Sequence, residues 1–441
     1  MIREVYSTLF LLCSISGVTW GQYNIPDVVL SALKPKGLRV ELPDSPGIQL
    51  FGFHGKLNDR LDSSKEGDIV GDVYSASNGK WVFEDPNQEL VIGDKLYYWI
   101  YVQYNFAGYT KRDLLWEVTE FVGDTCTPST TTATGATTNV CSGNLIFEDN
   151  FNQPSLDTTR WTPQKYIPSL TDDDHYEFVS YQNRPENVFI KNSVLYLKPI
   201  AAANRAGVYG KLDLTQGCTR SKPESCSYQQ VGGYILPPVV SAKVVSKMSF
   251  KYGKVEVKAK LPLGDWIYPQ IELIPVNKLP SYPKMLIAYS RGNLNLSLSN
   301  NEDIGSSLLF GGPARTAVEP ERSSNLRSQR LAIPYGRDSR TYTLTWSPTR
   351  IDVMIGNNLY GTILSHEYAG FDTEYQIALG VGVGGNYDFP DDATSSNTPK
   401  PWRNFHPRTM KEFFDKKNFW IGSWVGDDVA LQVDSVKVWA L

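Results

Sequence analysis

Period-two alternation of polar and apolar residues runs through most of this chain and predicts β-strands. Residues 254–260 alternate charged and apolar side chains, as expected for a strand with one buried face. Residues 342–346 and 351–355 alternate similarly on either side of the turn 347–350, which predicts a hairpin. A further run of this kind closes the chain at 429–439. Roughly 300 residues with this pattern predict a large jelly roll of two β-sheets.

The N-terminal part of the chain carries shorter runs of the same type. Residues 38–42, 49–53 and 96–102 are rich in apolar and aromatic side chains and are separated by Pro-Asp, Asn-Gly and Gly-Asp turn signals. About 100 residues with that spacing predict an immunoglobulin-like β-sandwich. The 25 Tyr, 11 Trp, 35 Gly and 27 Pro residues of the chain also favour short strands and turns over long helices. We therefore expect an all-β protein with two domains.

A Thr-rich stretch separates the two patterns. Residues 125–138 hold too few apolar side chains to pack, which predicts an exposed linker over 124–142, with domains at 22–123 and 143–441. At the N-terminus Arg3 precedes the apolar run 9–18, which predicts a signal peptide over 1–21 and a secreted protein. No later stretch approaches the roughly 20 apolar residues of a membrane span. The net charge of −4 provides no basic field for nucleic acid.

Four cysteines remain after the predicted signal peptide, which contains Cys13. An even number in a secreted chain indicates disulfides, and three connectivities are possible. The short separations favour the pairs Cys126–Cys141 and Cys218–Cys226.

Other candidate sites for metals or modification are few. Neither cysteine spacing is C-x-x-C and the four histidines are scattered, so we expect no metal site and no cofactor. Asn295 begins an Asn-Leu-Ser sequon, which predicts glycosylation at this position.

Several segments resemble the insect β-1,3-glucan recognition proteins, also called Gram-negative bacteria-binding proteins. The N-terminal segments that resemble the glucan-binding module of these proteins, carbohydrate-binding module family 39, are 34–38, 42–44, 53–58, 78–81 and 93–99. The C-terminal segments that resemble a glycoside hydrolase family 16 domain, of the concanavalin- and glucanase-like jelly-roll class, are 145–151, 264–266, 291–293, 382–386 and 434–439.

The resemblance identifies the positions that would carry hydrolysis. Active glycosidases of this group use two carboxylates about 5 Å apart, in a Glu-x-Asp-x-x-Glu segment just before an Arg-Gly-Asn-like stretch. Counting back from Arg291, the nucleophile position holds Lys284, the bridging acid Leu286 and the acid/base Tyr289. An ammonium group is no nucleophile at neutral pH and a tyrosine is a poor acid here, so the resemblance implies an inactive domain.

Two other acidic residues are candidates for replacing the lost carboxylates. Glu272 stands where the family usually has a large apolar residue, and Asp265 precedes Trp266. Neither has a second carboxylate at the right distance in the sequence pattern, so we expect neither to restore hydrolysis.

Sugar recognition needs flat aromatic faces and polar groups that bind hydroxyls. By resemblance, Trp81 contacts glucan, and Asp44 and Lys80 supply polar contacts on one sheet face. Trp81 follows an Asn-Gly turn, which predicts an exposed ring.

The remaining aromatic and acidic candidates have simpler interpretations. Tyr97, Trp99 and Tyr101 are expected to pack in the core or against the sheet. In the second domain core packing and a vestigial cleft are equally good explanations of three further tryptophans, Trp266, Trp402 and Trp424. Asp149 resembles part of a cation-binding segment, but a lone acidic residue predicts no metal.

The resemblance implies a pattern-recognition protein of the body fluid. The partners this implies are β-1,3-glucan, other microbial surface glycans and serine proteases upstream of Toll or prophenoloxidase activation. Ligand-induced self-association is a further expectation. Two alternatives are a residual β-1,3-glucanase and a binder of lipopolysaccharide or lipoteichoic acid. The replaced carboxylates count against the first, and the departures in the cleft keep the second open.

Overall fold

A computed structural model describes residues 23–34, 36–62, 64–122, 129–136, 140–169, 175–276 and 282–441. The predicted signal peptide and Cys126 lie outside these residues. The chain divides into two compact units, Met1–Thr125 and Cys126–Leu441.

The first unit is a sandwich of two four-stranded sheets, one in the order β5-β2-β1-β8 and the other in the order β4-β3-β6-β7. Its strands are β1 Val29–Leu33, β2 Leu38–Pro43, β3 Ile48–Leu57, β4 Ile69–Val73, β5 Lys80–Asp85, β6 Lys95–Tyr104, β7 Ala107–Glu117 and β8 Phe121–Val122. The inward residues of both sheets form one buried cluster, which includes Val40, Phe51, Phe53 and Ile100. This confirms the predicted immunoglobulin-like sandwich.

The second unit contains two eight-stranded sheets. The strand order of the first sheet is β13-β14-β32-β20-β26-β27-β28, and its eighth strand, β10, pairs with β32. The strand order of the second sheet is β11-β19-β29-β21-β22-β24-β25, and its eighth strand, β9, pairs with β19. The strands are β9 Thr132–Thr134, β10 Leu145–Asp149, β11 Trp161–Pro163, β12 Val179–Tyr181, β13 Val188–Lys191, β14 Val194–Leu197, β15 Ile200–Ala201, β16 Lys211–Asp213, β17 Ser227–Gln229, β18 Val239–Ser241, β19 Lys243–Lys251, β20 Gly253–Lys260, β21 Ile267–Pro275, β22 Lys284–Tyr289, β23 Leu296–Ser297, β24 Leu308–Ala314, β25 Arg327–Arg330, β26 Arg340–Trp346, β27 Arg350–Ile355, β28 Asn358–Leu364, β29 Tyr375–Val383, β30 Thr394–Ser395, β31 Thr398–Pro399 and β32 Leu431–Trp439.

Helices are short and lie in the connections of the second unit. They are α1 Pro223–Cys226, α2 Glu321–Ser324, α3 Thr409–Asp415 and α4 Lys417–Trp420, with 3₁₀ turns at Arg205–Val208, Ser365–Glu367 and Ile421–Ser423.

The alternation predicted from the sequence places the core of this unit between its two large sheets. On β20 the side chains of Val255, Val257 and Ala259 are buried, whereas the charged residues between them face outward. The β26–β27 hairpin is present, with Trp346 opposite Ile351. One hydrophobic cluster joins residues of both sheets, which confirms the jelly-roll class.

Part of the predicted linker is packed against the second unit, contrary to expectation. Thr132–Thr134 form an edge strand on β19, with Ala133 opposite Phe250. Backbone hydrogen bonds hold such a strand without apolar side chains, and threonine is a good strand former. The linker composition therefore does not exclude a strand.

The cysteine predictions can be compared with the structure at three of four positions. Cys218 and Cys226 form the predicted disulfide, with Cα atoms 5.6 Å apart. Cys141 is also disulfide-bonded, and its predicted partner Cys126 lies outside the described residues.

Candidate functional site

The three residues predicted to bind glucan meet at one end of the β2–β5 ladder. Leu42 pairs with Trp81 and Pro43 with Lys80, and Asp44 follows directly. The indole Nε1 of Trp81 donates to Asp44 Oδ1 at 2.7 Å. The side chain of Asp44 is exposed, as is that of Lys80, whose Nζ lies 2.7 Å from Glu41 Oε2. The structure therefore brings the three residues together.

The exposure expected for Trp81 is wrong. Its side chain is only 4% exposed and belongs to the core cluster of the first unit. The Asn-Gly turn before it is present, since Asn78 and Gly79 both have positive φ. The strand that follows turns Trp81 inward, opposite the buried Leu42, because side chains alternate between the two faces. Trp81 thus holds Asp44 in place and does not present its ring to solvent.

Tyr97, Trp99 and Tyr101 lie half-buried on the outer face of the other sheet, so they pack against the sheet and are not core residues. The rings of Trp99 and His54 stack with centroids 3.7 Å apart, and Trp99 Nε1 donates to the Lys65 carbonyl at 2.9 Å. The core positions of β6 are instead the intervening residues Leu96, Tyr98, Ile100 and Val102.

In the second unit the three positions predicted to correspond to the catalytic residues lie on β22 and are all buried. Lys284 is 5% exposed, and Leu286 and Tyr289 are similarly enclosed. Lys284 Nζ lies 2.8 Å from Glu272 Oε2 on the paired strand β21. The other carboxylate oxygen of Glu272 lies 3.4 Å from Lys243 Nζ. Glu272 is therefore enclosed by two ammonium groups.

Tyr289 belongs to a neighbouring group centred on Asp388. Asp388 Oδ1 accepts from the Tyr289 hydroxyl at 3.0 Å and from Arg322 Nη2 at 2.9 Å, and Oδ2 lies 2.6 Å from His175 Nδ1. His175 Nε2 in turn lies 3.1 Å from Lys284 Nζ, which joins the two groups. We call Lys243, Glu272, Lys284, His175, Asp388, Arg322 and Tyr289 the buried ionic cluster.

The pKa values show how strongly this cluster holds its charges. Burial would raise the pKa of Glu272, but Lys284 and Lys243 outweigh it and lower the pKa to about 2. Burial acts in the same direction on Asp388, yet His175 and Arg322 hold its pKa well below the usual range. Burial, with the Asp388 charge beside it, raises the pKa of Tyr289 to about 12. At neutral pH Glu272 is thus an ion-paired carboxylate and Tyr289 a neutral phenol, and neither suits an acid/base role.

We expect the second unit to lose stability in acid through this cluster. The pKa of Glu272 is 4.5, its ordinary value, in the unfolded chain and about 2 in the folded chain. Between pH 2 and pH 4.5 the folded state therefore binds fewer protons than the unfolded state. The contribution is present above about pH 4.5 and is lost as the pH falls toward 2, and it amounts to about 3 kcal/mol. Guanidinium unfolding at pH 5, 4 and 3 measures how the free energy of unfolding changes with pH.

The Glu272→Gln variant should show a shallower decrease with pH than the native chain, because it lacks this titrating group. The exposed Glu186 provides a matched control, since Glu186→Gln should retain the native slope. An unchanged slope in Glu272→Gln would contradict the assignment.

The remaining candidates in the second unit are mostly structural. Trp266 and Trp402 are buried with ring centroids 5.2 Å apart, which favours core packing for both. Trp424 is partly buried and donates from Nε1 to the Asp265 carbonyl at 2.9 Å. Asp149 accepts from Trp161 Nε1 at 2.8 Å.

No group of three or more His, Cys, Asp or Glu residues is placed to hold a metal ion within the described ranges. Over the same part of the chain, no helix has the length and apolar character needed to cross a membrane. Asn295, the predicted glycosylation site, is exposed.

Sequence reasoning missed His175, Asp388, Arg322 and the role of Lys243. His175 and Asp388 are 213 positions apart, and no local pattern connects them. The one available signal was that Glu272 and Lys284 both differ from the residues usual in the family. A carboxylate and an ammonium group gained together on paired strands suggest an ion pair.

Comparisons with known proteins agree with the resemblance. The family model CBM39, described as a carbohydrate binding domain (family 32), matches residues 24–134. The chain is 32% identical to β-1,3-glucan-binding protein 1 of Manduca sexta, with 100% of both chains covered, and 35% identical to the β-1,3-glucan-binding protein of Hyphantria cunea, with 99% of both covered. It is 30% identical to Gram-negative bacteria-binding protein 3 of Drosophila melanogaster, over 98% of this chain and 97% of that one.

Among solved structures, the laminarinase from Rhodothermus marinus matches 68% of this chain and 98% of its own, at 18% identity and a TM-score of 0.44. The full-length similarity to the curated relatives is the decisive finding. The chain belongs to the family of β-1,3-glucan-binding and Gram-negative bacteria-binding proteins.

Proposed function

We propose that this protein is a secreted recognition protein of innate immunity that binds β-1,3-glucan on microbial surfaces and does not hydrolyse it. The observation that carries the proposal is the buried ion pair between Lys284 and Glu272, at 2.8 Å, at the position where the family's glycosidases need a free carboxylate. Full-length similarity to proteins named for glucan binding, and the carbohydrate-binding match at 24–134, support the ligand.

The first unit is the proposed glucan-binding module. Asp44 and Lys80 are exposed at the same end of the β2–β5 ladder, and Trp81 fixes the carboxylate of Asp44 from below. An exposed carboxylate can accept hydrogen bonds from sugar hydroxyls, and an exposed ammonium group can donate to them. The proposed contacts are therefore polar, with Trp81 as a positioning residue.

Loss of hydrolysis follows from what surrounds the three catalytic positions. Lys284 and Tyr289 are engaged inside the buried ionic cluster, and the side chain of Leu286 carries no ionisable group. A retaining glycosidase needs one carboxylate free to attack and a second able to donate a proton. No side chain at these positions meets either requirement, so bound glucan is retained intact.

The immune role extends this proposal to partners. We propose that glucan binding in the body fluid engages serine proteases of a Toll or prophenoloxidase cascade, and that binding of several chains to one polymer promotes their self-association. The support for both steps is the resemblance of the chain to this family. A receptor that leaves its ligand intact keeps the polymer available as a platform for such assembly.

Co-sedimentation of the purified full chain with insoluble β-1,3-glucan tests this proposal. We expect retention on β-1,3-glucan but not on cellulose, and at least a tenfold loss of affinity in Asp44→Ala/Lys80→Ala, because two polar contacts to the sugar are removed. The matched control is Arg39→Ala/Glu84→Ala, which removes an exposed ion pair from the same sheet. Equal retention of the two double variants would contradict the assigned residues, and no retention of the native chain would contradict the function.

A further inference from the structure

The buried position of Trp81 leaves the surface around Asp44 and Lys80 without an aromatic face. A sugar site usually combines polar groups with an exposed ring that packs on the apolar side of a pyranose. The first unit carries such a ring at Phe106, whose side chain is 85% exposed. This is the largest exposed fraction of any large apolar side chain in the part of the chain that the structure describes.

Phe106 lies in a strained turn. Strands β6 and β7 are joined by the two residues Asn105 and Phe106, since Tyr104 pairs with Ala107. The φ angles of the two turn residues are 47° and 65°, as in a type I′ turn, whose second position is usually glycine because a side chain there is strained. Residues held in such conformations cluster at ligand-binding sites. The strain and the exposure together therefore indicate a function for the Phe106 ring.

The β2–β3 connection holds this turn in place. The Phe106 N–H donates to Gln49 Oε1 at 2.8 Å, and the Asn105 N–H donates to the Gly47 carbonyl at 2.9 Å. The connection also packs directly on the base of the hairpin, since a Cβ atom at Gly47 would lie 2.7 Å from Tyr104 Cε2. The backbone that carries the Phe106 ring is thus fixed before any ligand binds, which lowers the entropy lost on binding.

The same connection carries the polar groups of the proposed glucan site. Gly47 follows Asp44 by three residues, which span at most about 11 Å, and a hydrogen bond of 3.2 Å closes the intervening Ser45–Ile48 turn. The Asp44 N–H also donates to the Gly79 carbonyl at 2.9 Å, directly before Lys80. The phenyl ring, the carboxylate and the ammonium group therefore lie at one end of the sandwich, within reach of a short oligosaccharide.

We propose that Phe106 packs against the apolar face of a glucose unit of bound β-1,3-glucan, beside the units that hydrogen-bond to Asp44 and Lys80. This inference rests on the proposed function and adds the apolar contact that the buried Trp81 does not supply. Glycine at position 106 would give a more stable turn without a ring, so stability and glucan binding oppose each other at this position.

Phe106→Gly separates these two effects. It should raise the midpoint of thermal unfolding of the first unit by a few degrees, because the strain at positive φ is relieved. It should also weaken binding of the full chain to insoluble β-1,3-glucan about tenfold, because the ring is lost. Phe106→Tyr retains an aromatic face and should bind like the native chain. Scanning calorimetry measures the midpoint, and co-sedimentation over a range of glucan concentrations measures the affinity.

Ile92→Ala is the matched control for loss of an exposed apolar side chain. Ile92 is 68% exposed and lies between the end of β5 and the start of β6, at the opposite end of the unit. Its variant should bind glucan like the native chain. Equal affinities of Phe106→Gly and Ile92→Ala would overturn the inference, while retention of the native chain would still support the proposed function.

Three other results would count against the inference. A lower thermal midpoint in Phe106→Gly would contradict the strained turn. Association of the protein without glucan that depends on Phe106, measured by sedimentation velocity, would assign the ring to a contact between copies of the chain. If the native chain is not retained on glucan, the proposed function fails and this inference fails with it.

Discussion

Glu272→Ala is expected to lower the free energy of unfolding of the second unit by about 3–5 kcal/mol, because it leaves two ammonium groups buried without their counterion. Lys284 and Lys243 both face Glu272, and all three side chains are at most 7% exposed. Burial of an unpaired ammonium group costs several kcal/mol. Guanidinium unfolding followed by near-ultraviolet circular dichroism measures the change.

Glu186→Ala is the control for this experiment. Glu186 is exposed and lies 3.9 Å from Arg184, and exposed pairs of this kind contribute about 0–1 kcal/mol. If Glu272→Ala unfolds within about 1 kcal/mol of Glu186→Ala, the buried ionic cluster does not hold the lysines as described.

Trp81→Ala should destabilise the first unit by about 3–5 kcal/mol, because it opens a cavity in the core and removes the hydrogen bond to Asp44. This is a large part of the roughly 5–15 kcal/mol that stabilises an ordinary domain. Trp81→Phe retains most of the ring and loses mainly the hydrogen bond, so about 1–3 kcal/mol is expected. Thermal unfolding of both variants, compared with the native chain, gives the two values.

Comparison of Trp81→Phe with Trp81→Ala also tests whether Trp81 acts in glucan binding by positioning Asp44. Trp81→Phe should reduce glucan retention in the folded protein, because Asp44 is no longer held, whereas Trp81→Ala reduces it through unfolding as well. Tyr74→Ala, at a 72% exposed position of the same unit, should change neither stability nor retention. Native stability in Trp81→Ala would contradict the burial of the indole ring.

Period-two patterns were sufficient to predict both sandwiches, because burial of one face determines where apolar residues occur along a strand. They did not determine which face of β5 is inward. A shift of one residue exchanges the faces of a strand, and the Asn-Gly turn before Trp81 locates the hairpin without specifying that choice. The exposure of Trp81 was therefore misjudged, although the resemblance had assigned Trp81 and Asp44 to the same site.

Long-range polar contacts were beyond a local pattern. Counting back from Arg291 assigned Lys284 and Tyr289 to the predicted catalytic positions. Their partners Glu272 and Asp388 become neighbours only through strand pairing and loop packing, which no local pattern shows. The strand at Thr132–Thr134 was missed for a related reason, because its hydrogen bonds to β19 are made by the backbone.

Release of reducing ends from bound laminarin is the most direct test of the central claim, which is binding without hydrolysis. The full chain is incubated with laminarin at pH 5 to 8 beside an active laminarinase at equal concentration, and bound protein and reducing ends are measured in the same samples. The account predicts saturable binding with no release above the protein-free blank at any pH. Release that increases with the amount of bound protein would contradict it, because it would require catalytic carboxylates that the buried ionic cluster does not leave free.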